Sequence, residues 1–89
     1  MSFKRVVKKI TNYAYLSGIE YDDYRECINV SFDSPEQAQK LADYVINHFR
    51  VLNRYFSDID CNIDAGENVE FKFWVKEKQA EKIARAFWG

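Results

Sequence analysis

The fold is decided by residues 27–36, which read CINVSFDSPE. The first six residues alternate apolar and polar side chains, as in a strand with one buried face. Ser34 then has a side chain that caps a helix, Pro35 suits the first helical turn, and Glu36 is favourable beside the positive end of a helix. The stretch therefore predicts a strand that passes directly into a helix. The strand side chains expected to face the core are Ile28, Val30 and Phe32.

The helix that begins after Ser34 is predicted to span residues 35–52. Apolar residues recur at spacings of three and four along this segment, which forms one stripe on a helix of 3.6 residues per turn. We expect this stripe to cover the sheet. Its members are Ala38, Leu41, Ala42, Val45, Phe49 and Leu52.

Two further alternating runs, at residues 55–63 and 69–75, flank a turn sequence and predict a hairpin. Only one register keeps the apolar side chains of both strands on one face. It also sets Asp60 opposite Lys72 as a cross-strand charge pair. The other expected pairs are Ile63 with Val69, Cys61 with Phe71, and Ile59 with Phe73.

The remaining segments complete an α+β domain. Residues 2–11 have apolar side chains at helical spacing, with a strand as the rival interpretation, and residues 77–88 repeat the helical pattern. Residues 13–21 are predicted to be extended and to pair with the strand that begins near Tyr24. The predicted architecture is one domain over residues 1–89, ordered α-β-β-α-β-β-α. It is a ferredoxin-like (split βαβ) four-stranded antiparallel sheet with its helices on one face.

Composition excludes several functional classes. The chain has 89 residues and a net charge of −1, so it has no overall attraction to nucleic acid or anionic membrane. No run approaches 18 apolar residues and the first residues lack a signal-peptide pattern, so we expect a cytoplasmic protein without a membrane segment. The two cysteines are expected to be reduced, with Cys61 inward and Cys27 outward. His48 is the one histidine and has no partner set, so no enzyme, cofactor or metal site is predicted.

Charge is nevertheless segregated along the chain. Residues 19–36 carry six acids and one base, and residues 57–70 carry five acids and no base. Because Tyr and Trp beside charges often anchor interfaces, these segments predict a protein-binding surface. The leading hypothesis is a non-enzymatic interaction module that binds a basic surface of a nucleic-acid-handling protein. In size and character the chain is similar to phage or mobile-element inhibitors. The candidate partner-binding residues are Glu20, Tyr21, Asp22, Asp23, Tyr24, Glu26, Asp33, Asp58, Asp60, Asp64 and Trp74.

The alternative hypothesis is nucleic-acid binding through the N-terminal helix. Residues 1–18 carry four bases and no acid, which would contact phosphates while nearby tyrosines stack on bases. The candidate residues are Lys4, Arg5, Lys8, Lys9, Tyr13 and Tyr15. Both a monomer and a homodimer paired through an edge strand are compatible with the pattern.

Overall fold

The computed structural model describes residues 3–14, 18–22, 24–63, 68–76 and 79. Its strands are β1 (Gly18–Asp22), β2 (Cys27–Phe32), β3 (Phe56–Ile63) and β4 (Val69–Val75). They form one four-stranded sheet in the order β1-β2-β4-β3, with every neighbouring pair antiparallel. The predicted α+β class with a four-stranded antiparallel sheet is confirmed, whereas the predicted helix at 77–88 lies outside the described residues. The elements are α1 (Phe3–Tyr13), β1 (Gly18–Asp22), β2 (Cys27–Phe32), α2 (Pro35–Asn47), α3 (Phe49–Leu52), β3 (Phe56–Ile63) and β4 (Val69–Val75).

The core lies between the helices and one face of the sheet. Buried side chains of α1 and α2 belong to the same apolar cluster as those of β2 and β4. In β4, for example, Phe71 and Phe73 are buried while Lys72 between them is half-buried. The described helices therefore cover one face of the sheet and leave the other face without a helix.

The N-terminal segment is a helix, and the rival strand interpretation is wrong. The apolar spacing continues to Ala14, which is completely buried, and Thr11 Oγ1 donates a hydrogen bond to the carbonyl of Val7 at 2.9 Å. Tyr13 is consequently the last residue of α1 rather than the start of an extended segment. The strand predicted from residue 13 is shorter and spans Gly18–Asp22.

The predicted start of the second helix is confirmed, but its predicted length is not. The Ser34 side chain accepts a hydrogen bond from the Gln37 amide at 3.3 Å, and Pro35 is the first helical residue. The helix ends before His48, whose backbone leaves the helical region at φ −122° and ψ 24°. A separate turn of helix, α3, follows. This break changes the direction of the apolar stripe and leaves Phe49 52% exposed, although the sequence predicts it in the core.

The hairpin register agrees with the sequence prediction. Ile63 pairs with Val69, Cys61 with Phe71, Ile59 with Phe73, and Asp60 with Lys72. The alternation is interrupted near Phe56, where the register shifts between Phe56 and Asp58 and the intervening Ser57 forms a bulge. Phe56 itself is buried at 1% exposure and packs against Phe73 with 5.4 Å between ring centroids.

Burial of the two cysteines is the reverse of the prediction. Both are free thiols, as expected, but Cys27 is buried and Cys61 is exposed. Cys27 is small and lies between Asp22 on β1 and the larger Trp74 on β4, its partners across the sheet. Cys61 shares a face with buried Phe71, but it lies on the edge strand beyond the buried cluster. The alternation thus identified the face of each thiol and not its burial.

Candidate protein-binding face

The face of the sheet opposite the helices, here called the open face, consists of three rows of side chains that run across all four strands. The strand registers bring these residues together from distant parts of the chain. The first row is Asp22, Cys27, Trp74 and Asp58; the second is Glu20, Asn29, Lys72 and Asp60; the third is Gly18, Ser31, Glu70 and Asn62.

The open face carries five carboxylates and one amine among the described residues. Lys72, the amine, lies opposite Asp60 in the register, but its Nζ pairs instead with Glu70 Oε1 on the same strand at 3.6 Å. The predicted Asp60–Lys72 ion pair is therefore wrong. Asp60 is bonded instead to a different side chain.

That side chain is Trp74, which extends from β4 toward the edge strand. Its Nε1 donates a hydrogen bond to Asp60 Oδ2 at 3.0 Å, and both side chains are half-buried. A tryptophan fixed in this way has one apolar ring face and one satisfied polar edge, which is typical of aromatic residues in interfaces. Sequence alternation had assigned Trp74 to this face beside Asp58 but could not identify its bond to Asp60.

Cys27 contributes a buried thiol to the open face. Its Sγ lies 3.5 Å from Asn29 Oδ1, within the range of a weak thiol hydrogen bond. Desolvation by burial raises the pKa of the Cys27 thiol, while the nearby Lys72 amine acts in the opposite direction. Because the thiolate is the reactive form, a buried thiol with a raised pKa is typical of a structural cysteine. Partial burial also raises the pKa of the Cys61 thiol.

The turn between β1 and β2 projects at one end of the open face. Asp22 Oδ1 accepts hydrogen bonds from the amides of Tyr24 and Arg25 at 3.0 and 3.1 Å. This arrangement presents Tyr24 at 95% exposure. Glu26 has a positive φ of 54°, and its carbonyl accepts the Val75 amide at 2.9 Å, which fastens the turn to β4.

The other candidate partner-binding residues are dispersed. Tyr21 is 8% exposed and belongs to the core, because its position opposite Ile28 turns it toward the helices. Asp33 is exposed just after β2 and lines a shallow cleft of about 380 Å³ with Glu70 and Asn62. Asp23 and Asp64 lie outside the described residues.

The described candidate nucleic-acid residues lie on α1. Lys4, Arg5, Lys8 and Lys9 are exposed. Arg5, Lys8 and Lys9 also line one surface cleft of about 330 Å³. Tyr13 is half-buried against Tyr44, with 5.3 Å between ring centroids, which removes part of the ring surface that base stacking would need. Tyr15 lies outside the described residues.

His48 has a structural environment in which no catalytic partner is found among the described side chains. Its Nδ1 lies 3.1 Å from the carbonyl oxygen of Tyr44, and the two rings have centroids 4.7 Å apart. Across the described ranges, no group of three His, Cys, Asp or Glu side chains has a geometry suited to a metal ion. The helices in those ranges also include none with the length and apolar character needed to cross a membrane.

Comparison of the chain with protein-family models, with curated proteins and with solved structures finds no match in any of the three.

Proposed function

We propose that this chain is a small non-enzymatic interaction module whose open face binds a basic surface of a partner protein. The observation that supports this proposal is the set of five carboxylates and one amine that the sheet gathers on that face. Like charges close together repel one another. The approach of a partner's cations relieves this repulsion and lowers the electrostatic energy of the surface.

Tyr24 is the proposed anchor of the interface. Large aromatic residues dominate the binding energy of many interfaces when they enter a pocket on the partner. The Tyr24 ring is 95% exposed, and the turn that carries it is held by Asp22 and by the bond from Val75 to Glu26. Because these bonds hold the backbone of the turn, binding has to order only the side chain of Tyr24, which favours affinity.

The proposed partner is a protein that itself binds nucleic acid, because a phosphate-binding surface is basic and an acidic face can occupy it. This mode of action is that of a cytoplasmic inhibitor such as those of phages and mobile elements.

We also propose a ferredoxin-like arrangement for the fold. It is supported by the location of β4 between β2 and β3, which are joined through α2.

The test begins with affinity capture and identification of the partner, followed by calorimetric titration of the purified pair. Glu20→Lys should weaken binding about tenfold, and Tyr24→Ala should weaken it about tenfold or more. Affinity should also fall between about 50 and 200 mM salt, since added ions screen surface charges.

Asp43→Lys is the matched control, because Asp43 is an exposed carboxylate on α2, away from the open face. It makes the same charge change as Glu20→Lys and should leave affinity unchanged. The proposal is wrong if the measured affinity is insensitive to salt and to Glu20→Lys, or if Asp43→Lys weakens binding equally.

A second candidate function, nucleic-acid binding by α1, is favoured by the cleft that Arg5, Lys8 and Lys9 share. A helix with several bases on one face can neutralise neighbouring phosphates. In a mobility-shift assay at low salt, Lys8→Glu combined with Lys9→Glu should abolish retardation of single-stranded DNA or RNA. Absence of retardation with the unaltered chain would exclude this function.

A further inference from the structure

The outer edge of β3 is the starting point for an inference about self-association. β3 is the last strand of the sheet, and no strand among the described residues pairs with its outer side. Cys61, Asn62 and Ile63 at its end are exposed, and Ile63 keeps 67% of its accessible surface. An edge strand with free backbone groups and exposed apolar side chains is a template for pairing with another strand.

The hydrogen bonds of the sheet show which residues of β3 direct their backbone groups outward. The Val75 amide donates a hydrogen bond to the carbonyl of Glu26, which directly precedes β2. The Trp74 carbonyl accepts a hydrogen bond from Ser57 Oγ of β3. Because successive residues of a strand direct their backbone groups to opposite neighbours, the even-numbered residues of β4 bond to β3. Their partners on β3 are Asp58, Asp60 and Asn62. The backbone groups that face the outer edge of β3 are therefore those of Ile59, Cys61 and Ile63.

We infer that this edge pairs with the same edge of a second copy of the chain, antiparallel about a two-fold axis at Cys61. In this register the outward-facing residues meet one another, as a regular ladder requires. Ile59 of each copy lies opposite Ile63 of the other, and Cys61 lies opposite its own copy. Three such pairs supply about six backbone hydrogen bonds. Two of these, one from the Ile59 amide of each copy, replace the bond that this amide donates to Asp58 Oδ1 at 2.9 Å.

Charge selects this register over its neighbours. A two-fold axis at Asp60 sets that carboxylate against its own copy, and an axis at Ile59 sets Asp58 against Asp60. Like charges directly opposite one another destabilise a strand pair. With the axis at Cys61, Asp60 lies opposite the neutral Asn62, and the exposed apolar side chains of both copies meet on one face.

The interface is small, because only residues 59–63 of each copy take part, so the dimer should be weak and concentration-dependent.

The register of the dimer can be trapped by oxidation with diamide. Two facing thiols each lose a proton and together give two electrons to diamide, which is reduced to its hydrazine as one S–S bond forms. Directly opposed residues that exchange hydrogen bonds have Cα atoms about 5.5 Å apart, within the range that a disulfide spans.

The first measurement is sedimentation velocity of the reduced chain over a range of concentrations. The unaltered chain should show a rising fraction of dimer, and Ile63→Asp should reduce that fraction about tenfold. Ile46→Asp is the control, because Ile46 is 72% exposed on α2 and takes no part in the strand edge. Far-UV circular dichroism of Ile63→Asp should match the unaltered chain, since the substituted side chain is exposed. A chain that stays monomeric at every concentration, or equal loss with Ile46→Asp, would overturn the inference.

The second measurement tests the register in a Cys61→Ser background. Ile59→Cys and Ile63→Cys chains are mixed, oxidised with diamide and separated on a non-reducing gel. The mixture should form a cross-linked dimer at least about tenfold more than either variant alone, because residue 59 of one copy lies opposite residue 63 of the other. Equal cross-linking in the mixture and in the separate variants would indicate random collision and would reject the register.

Discussion

The central strands and the edge strand β3 have the same alternation in sequence but differ in burial. In β4 the side chains at positions 69, 71, 73 and 75 are all buried, whereas in β3 burial falls from Phe56 through half-buried Ile59 to exposed Ile63. The register sets these strands side by side. Alternation therefore indicates which face of the sheet a side chain occupies. Whether that side chain is buried depends on how completely other elements cover that face.

The largest expected effect belongs to the centre of β4. Phe73→Ala removes a completely buried ring that packs against Phe56 and Phe71, and should lower the free energy of unfolding by about 3–5 kcal/mol. Urea titration followed by circular dichroism measures this loss. Phe49→Ala is the matched control at a half-exposed ring and should cost much less. Equal losses would mean that burial does not distinguish the two sites.

A second test compares a thiol of central β2 with one of edge β3. Cys27 should react with N-ethylmaleimide about a hundredfold or more slowly than Cys61, because it reacts only when the structure opens. Burial raises the pKa of both thiols, so the expected difference in rate comes from the difference in exposure. Peptide mass spectrometry of a dilute sample gives both rates in one experiment. Similar rates would show that the sheet opens readily at β2.

The link between β4 and β3 can be measured through Trp74. Trp74→Phe keeps most of the ring but removes the hydrogen bond to Asp60 Oδ2, and should cost about 0.5–1.5 kcal/mol. A double-mutant cycle with Asp60→Ala, which removes the acceptor, isolates the coupling between these two side chains. Additive effects in the urea titrations would contradict a stabilising bond across the strands.

The smallest effect is expected at the edge. Cys61→Ser changes an exposed side chain, so in dilute solution the free energy of unfolding should change by no more than about 0.5 kcal/mol. A loss above about 1 kcal/mol in the same titration would show that the Cys61 side chain is buried, in contradiction to its exposed location in the structure.

Local sequence rules were sufficient for much of the fold. Ser34 and Pro35 identified the start of α2, and face alternation identified the β3–β4 register, because both depend on nearest neighbours along a helix or across a strand pair. The end of α2 could not be obtained in this way. The apolar stripe continues through Phe49, and the break at His48 involves the backbone and ring contacts of that residue with Tyr44.

The open face was predictable only in part. Alternation indicated that Trp74 and Asp60 lie on the polar face, and the acidic segments indicated its charge. Tyr21 was misassigned because its strand was predicted without a fixed register, which decides whether a tyrosine turns toward helices or solvent. The Trp74–Asp60 bond depends on side-chain orientation, which sequence spacing does not specify.

The opposite edge of the sheet has a consequence for how far any assembly can grow. β1 has five residues and includes Glu20 and Asp22, and short, charged edge strands resist the addition of further strands. When two copies pair through β3, both outer edges of the combined sheet would therefore be β1 strands. The asymmetry between its two edges favours a closed pair of chains and disfavours a fibril that lengthens without limit.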